Sequence, residues 1–173
     1  MTVLGKPYTR PGFADYISGL TVGKWRPSLI VIHHCAAPSL AQRPVGFAAQ
    51  HMVNLREFYE GKGWSAGPHL FVDDDRVWTF SPLTAPGIHA VSFNRNSVGI
   101  EMLGDYDTED PWSGRGLQVL TTTCHALLAL LRKFGLTPAA IRFHRDDPKT
   151  SKSCPGTKLD KAKFLNLLQS IKP

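Results

Sequence analysis

The chain has 173 residues, of which 42% are hydrophobic, enough to bury the core of a single domain. It contains neither an apolar stretch of about 18 residues nor the apolar region of a secretory signal peptide, so we expect no membrane span and synthesis in the cytoplasm. The formal charge of +6 favours a polyanionic partner, but the basic residues do not alternate with aromatic ones, which argues against nucleic acid.

In chain order, the first half of the sequence predicts one buried strand, one helix and a pair of short strands. Aliphatic residues run without interruption from Ser28 to Ile32, as in a strand covered on both faces. Pro44 to Tyr59 has apolar residues at helical spacing and stops at Gly61. His69 to Asp73 and Val77 to Phe80 read as two strands joined by a polar turn.

The second half continues the alternation of strand and helix patterns. Ser97 to Leu103 is a short apolar run of strand type, and Ala140 to His144 is another. Between them, Leu117 to Phe134 is the longest helical pattern in the chain, and Leu159 to Ile171 forms a C-terminal amphipathic pattern. The sequence therefore predicts four strands before the longest helix, two of them in one hairpin, and one strand after it.

Strands that alternate with helices around one core are typical of the α/β class. We predict a single domain over residues 1–173, in which helices cover both faces of a central mixed β-sheet. The core spans about residues 28–170, and residues 1–27 form a short N-terminal extension. In such folds, functional side chains gather at the ends of strands, where His33, Glu101 and His144 are predicted to lie.

One loop near the C-terminus, residues 143–156, carries three residues with useful chemistry. His144 and Cys154 offer an imidazole and a thiolate, which are good zinc ligands, and Lys152 lies two residues before the thiolate. Taken singly, each has an ordinary alternative: a buried histidine, a small apolar core residue and a solvated cation. Prolines interrupt the loop, so His144 and Cys154 meet only if it folds back, and a bound metal would explain why it does.

A further ligand and a candidate base lie upstream. The predicted strand at Ser28 to Ile32 ends in His33 and His34, so three protein ligands could leave a fourth position open, as in catalytic zinc sites. A structural zinc would instead need a fourth ligand, which His34 or Asp146 could supply. Glu101 interrupts an apolar strand, which makes it a candidate general base, although a glutamate on an edge strand facing water is the alternative.

These residues resemble the zinc-dependent N-acetylmuramoyl-L-alanine amidases, which share a fold with bacteriophage T7 lysozyme and the peptidoglycan recognition proteins. The resemblance runs from about Leu29 to Leu165 and follows the order of the family motifs. It is carried by IVIHHCA at 30–36, GPHLFVDDD at 67–75, IHA at 88–90, NSVGIEMLG at 96–104 and HRDDPKTSKSCPG at 144–156.

The resemblance implies a zinc site and a catalytic pair. His33, His144 and Cys154 correspond to the zinc ligands, with His33 preferred to His34 because the family's ligand directly follows the strand. Glu101 and Lys152 correspond to the catalytic residues of the branch that includes AmpD and AmiD. A tyrosine that the T7 lysozyme branch uses falls on Pro68, so that role is vacant here.

Three further residues are assigned by the resemblance to the substrate groove. His89 is expected to contact substrate directly. His69 is expected to pack or to support the site from behind. Asn96 is expected to hold a loop by hydrogen bonds, with an ordinary turn role as the alternative.

The implied reaction is hydrolysis of the amide between N-acetylmuramic acid and L-alanine in peptidoglycan. We expect a monomeric endolysin, made in the host cytoplasm and reaching the cell wall on phage lysis. A cytosolic amidase that recycles soluble muropeptides is one alternative. A recognition module that binds peptidoglycan without cleaving it is the other.

Overall fold

Six strands and four helices alternate in the computed structural model, which describes residues 1–171. The strands are β1 (Lys6–Tyr8), β2 (Leu29–His34), β3 (Leu70–Val72), β4 (Val77–Thr79), β5 (Ser97–Met102) and β6 (Ile141–Phe143). The helices are α1 (Arg10–Gly19), α2 (Ala49–Gly61), α3 (Gly114–Phe134) and α4 (Lys161–Ser170). None of the helices within this range is both long enough and apolar enough to cross a bilayer.

The strands form one mixed sheet in the order β1-β4-β3-β5-β2-β6. Strands β3, β5, β2 and β6 are parallel to their neighbours within that group, whereas β4 pairs antiparallel with both β3 and β1. The register places His33 opposite Glu101, and Glu101 opposite Phe71. These three side chains therefore lie side by side on one face of the sheet.

Helices cover both faces of the sheet, as the sequence predicts. On one face, α1, α3 and α4 bury the main hydrophobic core, to which β2 contributes Ile30 and Ile32. On the other face, Met52 and Tyr59 of α2 pack with Phe71 in a smaller apolar cluster. The predicted class, an α/β domain with a central mixed sheet, is confirmed.

Residues 1–27 include two regular elements that the sequence analysis did not identify. Strand β1 extends the sheet by pairing with β4, and α1 packs against α3 with Phe13 and Ile17 buried. Thr9 caps α1 by accepting a hydrogen bond from the Gly12 amide at 3.2 Å. This N-terminal segment is thus packed into the sheet and one helix layer.

Three predicted boundaries shift for local reasons. Helix α2 starts at Ala49 rather than Pro44, because residues 44–48 form a loop whose Phe47 amide donates to Asp73 Oδ2 at 2.8 Å. The last strand is shorter than predicted, since 3₁₀ turns at Pro138–Ala140 and His144–Asp146 flank it. Helix α4 begins after Asp160, whose carboxylate caps the first turn.

Candidate metal centre and active site

The candidate site lies at the carboxyl ends of the parallel strands β2, β5 and β6. Ile32 pairs with Phe143, so the next residues, His33 and His144, are neighbours at the end of adjacent strands. Their ring centroids are 4.4 Å apart. Cys154 reaches the same point from the following loop, with its Sγ 3.7 Å from Nδ1 of His33. The structure thus brings together the three residues predicted to be zinc ligands.

Arg145 holds the loop that returns Cys154 to the strand ends. Its amide donates to the Cys154 carbonyl at 2.8 Å. Its guanidinium donates to the carbonyls of Ser153 at 3.2 Å, Gly156 at 2.7 Å and Leu159 at 2.7 Å. A bound metal is one predicted reason for the loop to fold back, and these hydrogen bonds achieve the same fold with protein groups alone. The arginine directly follows a candidate ligand, which is a signal that could have indicated its role.

The same loop is fastened to residues 106 and 107 from its other side. Asp107 accepts hydrogen bonds from the Ser153 hydroxyl and the Thr157 amide, each at 2.7 Å. Gly156 has a φ of +110°, and a Cβ there would lie 2.4 Å from the backbone of Tyr106. Only glycine permits this close approach. Cys154 is therefore held on both sides, by hydrogen bonds of its neighbours to Arg145 and Asp107 and by the close approach of Gly156 to Tyr106.

The donor set fits zinc. One donor atom from each of His33, His144 and Cys154 lies within 4.8 Å of the other two. Bond lengths of roughly 2.0 Å to nitrogen and 2.3 Å to sulfur in a tetrahedral site require an N to S separation of about 3.5 Å. The observed 3.7 Å between His33 and Cys154 is close to that value. Two imidazoles and a thiolate form a donor set that favours zinc over calcium or magnesium.

Neither His34 nor Asp146 faces this cluster. Nδ1 of His34 accepts a hydrogen bond from the Tyr106 amide at 3.0 Å, and its Nε2 lies 3.9 Å from Asp107. Asp146 accepts from the Phe143 amide at 2.9 Å and forms an ion pair with Lys161. Both side chains bind other groups, so neither occupies a fourth coordination position of the cluster.

Glu101 lies beside the cluster on an interior strand. Its Oε1 is 3.8 Å from Nδ1 of His33, and its side chain is 16% exposed. Because β5 lies between β3 and β2, the alternative of an edge-strand glutamate facing water is wrong. Burial raises the pKa of Glu101 to about 8, against a smaller opposing effect of the Lys152 ammonium. A carboxyl group with a pKa in this range can both take up and release a proton near neutral pH.

Lys152 is exposed and lines the same cavity as Glu101. Its ammonium also contributes to lowering the pKa of His144, an effect of burial first and of this charge second. The cavity has a volume of about 860 Å³. The sheet wall, as we call one side, consists of His33, Glu101, His144 and Cys154. The α2 wall, as we call a second part of the lining, consists of residues of helix α2, namely His51, Asn54, Leu55, Phe58 and Tyr59.

His69 lies beneath the cavity and does not line it. The side chain is fully buried, Nδ1 accepts from the Gly99 amide at 3.0 Å, and Nε2 bonds the Ala85 carbonyl at 3.0 Å. Burial lowers the pKa of His69 to about 4, so the ring is neutral. With both ring nitrogens used by the backbone, His69 supports the site by packing, as expected from the sequence, and any contact with substrate stays a prediction.

Asn96 lies at the far end of β5 from the cluster. Its Nδ2 donates to Ser28 Oγ at 3.1 Å, and its carbonyl accepts from the amides of Ser28 and Leu29. It therefore ties the starts of β2 and β5 together by hydrogen bonds, in keeping with the predicted loop-holding role, and its contact with substrate stays a prediction. The asparagine that holds the loop near the site is Asn94, whose Oδ1 accepts from the amides of His89 and Ala90, each at 2.8 Å.

His89 lines the cavity but uses both ring nitrogens within the protein. Its Nδ1 lies 3.0 Å from Nε2 of His33, and its Nε2 lies 3.2 Å from Ser97 Oγ. Burial lowers the pKa of His89 to about 3. Burial is also the largest cause that lowers the pKa of His33 well below its usual range. A substrate could therefore touch only the carbon edge of the His89 ring, not a free nitrogen.

The fold is that of known amidases, endolysins and peptidoglycan recognition proteins. The chain is similar to the N-acetylmuramoyl-L-alanine amidase LysC from Clostridium intestinale URNW, with 23% identity, a TM-score of 0.67, and coverage of 84% of this chain and 87% of that chain. It is similar to a mutant of Drosophila PGRP-LB in complex with tracheal cytotoxin, with 22% identity, a TM-score of 0.64, and coverage of 88% and 89%. It is also similar to the Ph2119 endolysin from a Thermus scotoductus bacteriophage, with 23% identity, a TM-score of 0.60, and coverage of 85% and 88%.

A family assignment follows from the sequence. The family model of N-acetylmuramoyl-L-alanine amidases matches residues 23–157, well over half of the chain. No curated protein matches the chain by sequence. The chain belongs to the N-acetylmuramoyl-L-alanine amidase family. This membership supports an amidase activity on peptidoglycan, and the resemblance to this family and its fold is confirmed.

Proposed function

We propose that the protein is a zinc-dependent amidase that hydrolyses the bond between N-acetylmuramic acid and L-alanine in peptidoglycan. The observation that carries the proposal is the juxtaposition of His33, His144 and Cys154 with the buried carboxyl of Glu101 in one cavity. In a chain of this family, that arrangement supplies a place for the metal and a proton carrier next to it.

His33, His144 and Cys154 would hold the zinc. When bound, zinc supplies a Lewis acid that polarises the amide carbonyl and activates water as the nucleophile. Two of the three ligands are buried, with His33 2% and Cys154 7% exposed, and His144 is half-buried, which would shield the metal from solvent. The Cys154 thiol must lose its proton on metal binding, and its pKa in the metal-free protein is raised above the ordinary value, chiefly by burial.

Glu101 would move the proton during hydrolysis. As the water oxygen bonds to the carbonyl carbon, Glu101 accepts a water proton, and it delivers that proton to the nitrogen as the C–N bond breaks. The products are a lactyl carboxylate and a stem peptide with a free amino group. Lys152 would stabilise negative charge that develops on the carbonyl oxygen, because its ammonium reaches the same cavity.

The biological setting that we propose is that of a phage endolysin acting as a monomer on the cell wall. The fold likeness to endolysins supports this setting, and the net charge of +6 would favour acidic wall surfaces. Soluble muropeptides are a second substrate form, which would instead suit a recycling amidase.

A recognition module without catalysis is the second candidate, and the fold likeness to a PGRP-LB mutant in complex with tracheal cytotoxin favours it. Such a module needs the groove but not the proton carrier. The presence of Glu101 and Lys152 beside the complete ligand set supports the enzyme over the module.

The deciding experiment is mass spectrometry of purified peptidoglycan digested with the protein, before and after metal chelation. We expect stem peptides with a free N-terminal L-alanine, lost on chelation and restored by zinc. Glu101→Gln is the control for contaminating hydrolases, because it removes the proton carrier and leaves the zinc ligands in place. Zinc binding and peptidoglycan binding without released peptide would support the recognition module instead.

A further inference from the structure

A chain of hydrogen bonds runs from the candidate zinc ligand His33 into the protein. Nε2 of His33 lies 3.0 Å from Nδ1 of His89, and Nε2 of His89 lies 3.2 Å from Ser97 Oγ. The Ser97 hydroxyl donates to the Phe93 carbonyl at 2.7 Å. The last acceptor is a backbone oxygen, which has no proton to give.

Starting from that carbonyl, the atom that carries the proton can be assigned for each side chain in this series of hydrogen bonds. The single Ser97 hydroxyl proton is used on Phe93, so Ser97 can only accept from His89, and Nε2 of His89 must carry the proton. A neutral His89 then has a bare Nδ1, which can only accept from Nε2 of His33. A neutral His33 is left with a bare Nδ1, the atom that lies 3.7 Å from Cys154 Sγ.

The structure makes room for His89 at a specific position. Gly99 lies under the ring, and a Cβ at that position would be 2.5 Å from Cγ of His89. A glycine inside a strand often marks such a close approach. The backbone of His89 is clamped by Asn94, which accepts from its amide at 2.8 Å. Ring and backbone are therefore both fixed, and the ring meets His33 edge to face with centroids 5.1 Å apart.

We propose that His89 is a positioning residue for the zinc site: it accepts the Nε2 proton of His33 and thereby presents the Nδ1 lone pair of His33 to the metal. The inference rests on the zinc site of the proposed function. Histidine ligands generally depend on a partner at the second ring nitrogen, which sets both the tautomer and the ring orientation. Here that partner is itself a histidine, whose own tautomer is set by Ser97.

A pair of variants with similar shape separates hydrogen bonding from packing. Asn places an oxygen acceptor near the position of Nδ1, whereas Leu fills a similar volume without an acceptor. We expect His89→Leu to weaken zinc binding by about 10- to 100-fold, the usual cost of losing such a partner, and His89→Asn to stay within a few-fold of the wild type. The zinc dissociation constant is measured by competition with a chromophoric chelator.

His125→Leu is the matched control, because His125 lies on α3 away from the cavity, and it should bind zinc like the wild type. Equal losses in His89→Leu and His89→Asn would overturn the proposal and leave only a packing role. Wild-type affinity in His89→Leu would overturn it as well. Thermal unfolding in chelator shows whether each variant is folded before its affinity is compared.

A second readout does not need the metal. In the chelated protein, ¹⁵N NMR correlations of the imidazole rings should show His33 protonated at Nε2 and bare at Nδ1, with mixed tautomers in His89→Leu. Protonation at Nδ1 in the wild type would overturn the inference. If the wild-type protein did not bind zinc, the proposed function would fail, but the NMR result would still decide whether His89 sets the tautomer.

Discussion

The sheet wall and the α2 wall line one cavity, yet their side chains are held very differently. On the sheet wall, His33 is 2% exposed and hydrogen-bonded to His89, and Cys154 sits in a loop fixed by Arg145. On the α2 wall, Phe58 is 53% exposed and Asn54 is also exposed. We infer that the reaction depends on the rigidly held sheet wall, whereas substrate choice depends on the α2 wall, whose exposed side chains tolerate substitution.

Removing a ligand from the sheet wall should have the largest effect. Cys154→Ala should lose zinc and amidase activity together, with activity reduced at least about 1000-fold, because two imidazoles alone bind the metal weakly. The measurement is zinc per chain by atomic absorption, alongside peptide release. Cys35→Ala is the control for losing a nearby thiol and should keep one zinc per chain. Retention of zinc by Cys154→Ala would remove Cys154 from the ligand set.

Glu101→Gln should separate metal binding from turnover on the same wall. The variant keeps the shape of the side chain but cannot carry a proton, so we expect zinc content to be unchanged and kcat to fall about 100- to 10,000-fold. Steady-state release of free amino groups measures the rate. An unchanged kcat would exclude Glu101 from proton transfer.

The same substitution should alter stability in a pH-dependent way when metal is chelated. The pKa of Glu101 is raised from 4.5 to about 8 in the folded protein. Below pH 4.5 the group is protonated in both states, so the free energy of unfolding is not affected by its ionisation. As pH rises toward 8, the unfolded state releases the proton more readily and the wild type loses stability.

Glu101→Gln should therefore be more stable than the wild type at pH 8 by about 4 kcal/mol, and no more stable from this cause at pH 4. Urea unfolding at both pH values in the presence of chelator measures the difference. A constant difference across the range would mean that the carboxyl is not buried as described.

The α2 wall should give the smallest effect. Phe58→Ala is expected to change the free energy of unfolding by less than about 0.5 kcal/mol, because the side chain is mostly exposed. It should raise KM about 3- to 10-fold and leave kcat unchanged, since it removes contact area without touching the reacting groups. Val45→Ala, at a position 92% exposed and outside the cavity, should alter neither constant. A large fall in kcat for Phe58→Ala would contradict the division between the walls.

The order of elements was predictable because strand and helix patterns in residues 28–171 are strong and continuous. The proposed ligand set was also accessible, since His33 directly follows an apolar run near the end of β2 and His144 directly follows β6. Strand β1 and helix α1 were not predictable, because three residues cannot show a period and α1 buries only Phe13 and Ile17. Their stability comes from pairing with β4 and packing on α3, which the local sequence does not encode.

The support of the site was harder to predict than its ligands. Asn94 and Asn96 are two residues apart in one loop, and only the folded backbone decides which of them meets His89. Arg145 acts through carbonyl groups of residues 153–159, which carry no sequence signal because every residue has a carbonyl. Such contacts depend on the path of the chain rather than on residue type.

The alternation of side chains along strand β5 limits the insertions and deletions that the protein can tolerate. Ser97, Gly99 and Glu101 occupy every second position, so they face the same side: one ends the hydrogen-bond chain, one leaves room for an imidazole, and one carries a carboxyl. Removing a single residue between Ser97 and Glu101 would place the side chains before and after the deletion on opposite faces, so the three could no longer share one side. The length of this strand is therefore as strict a requirement as the identity of any ligand.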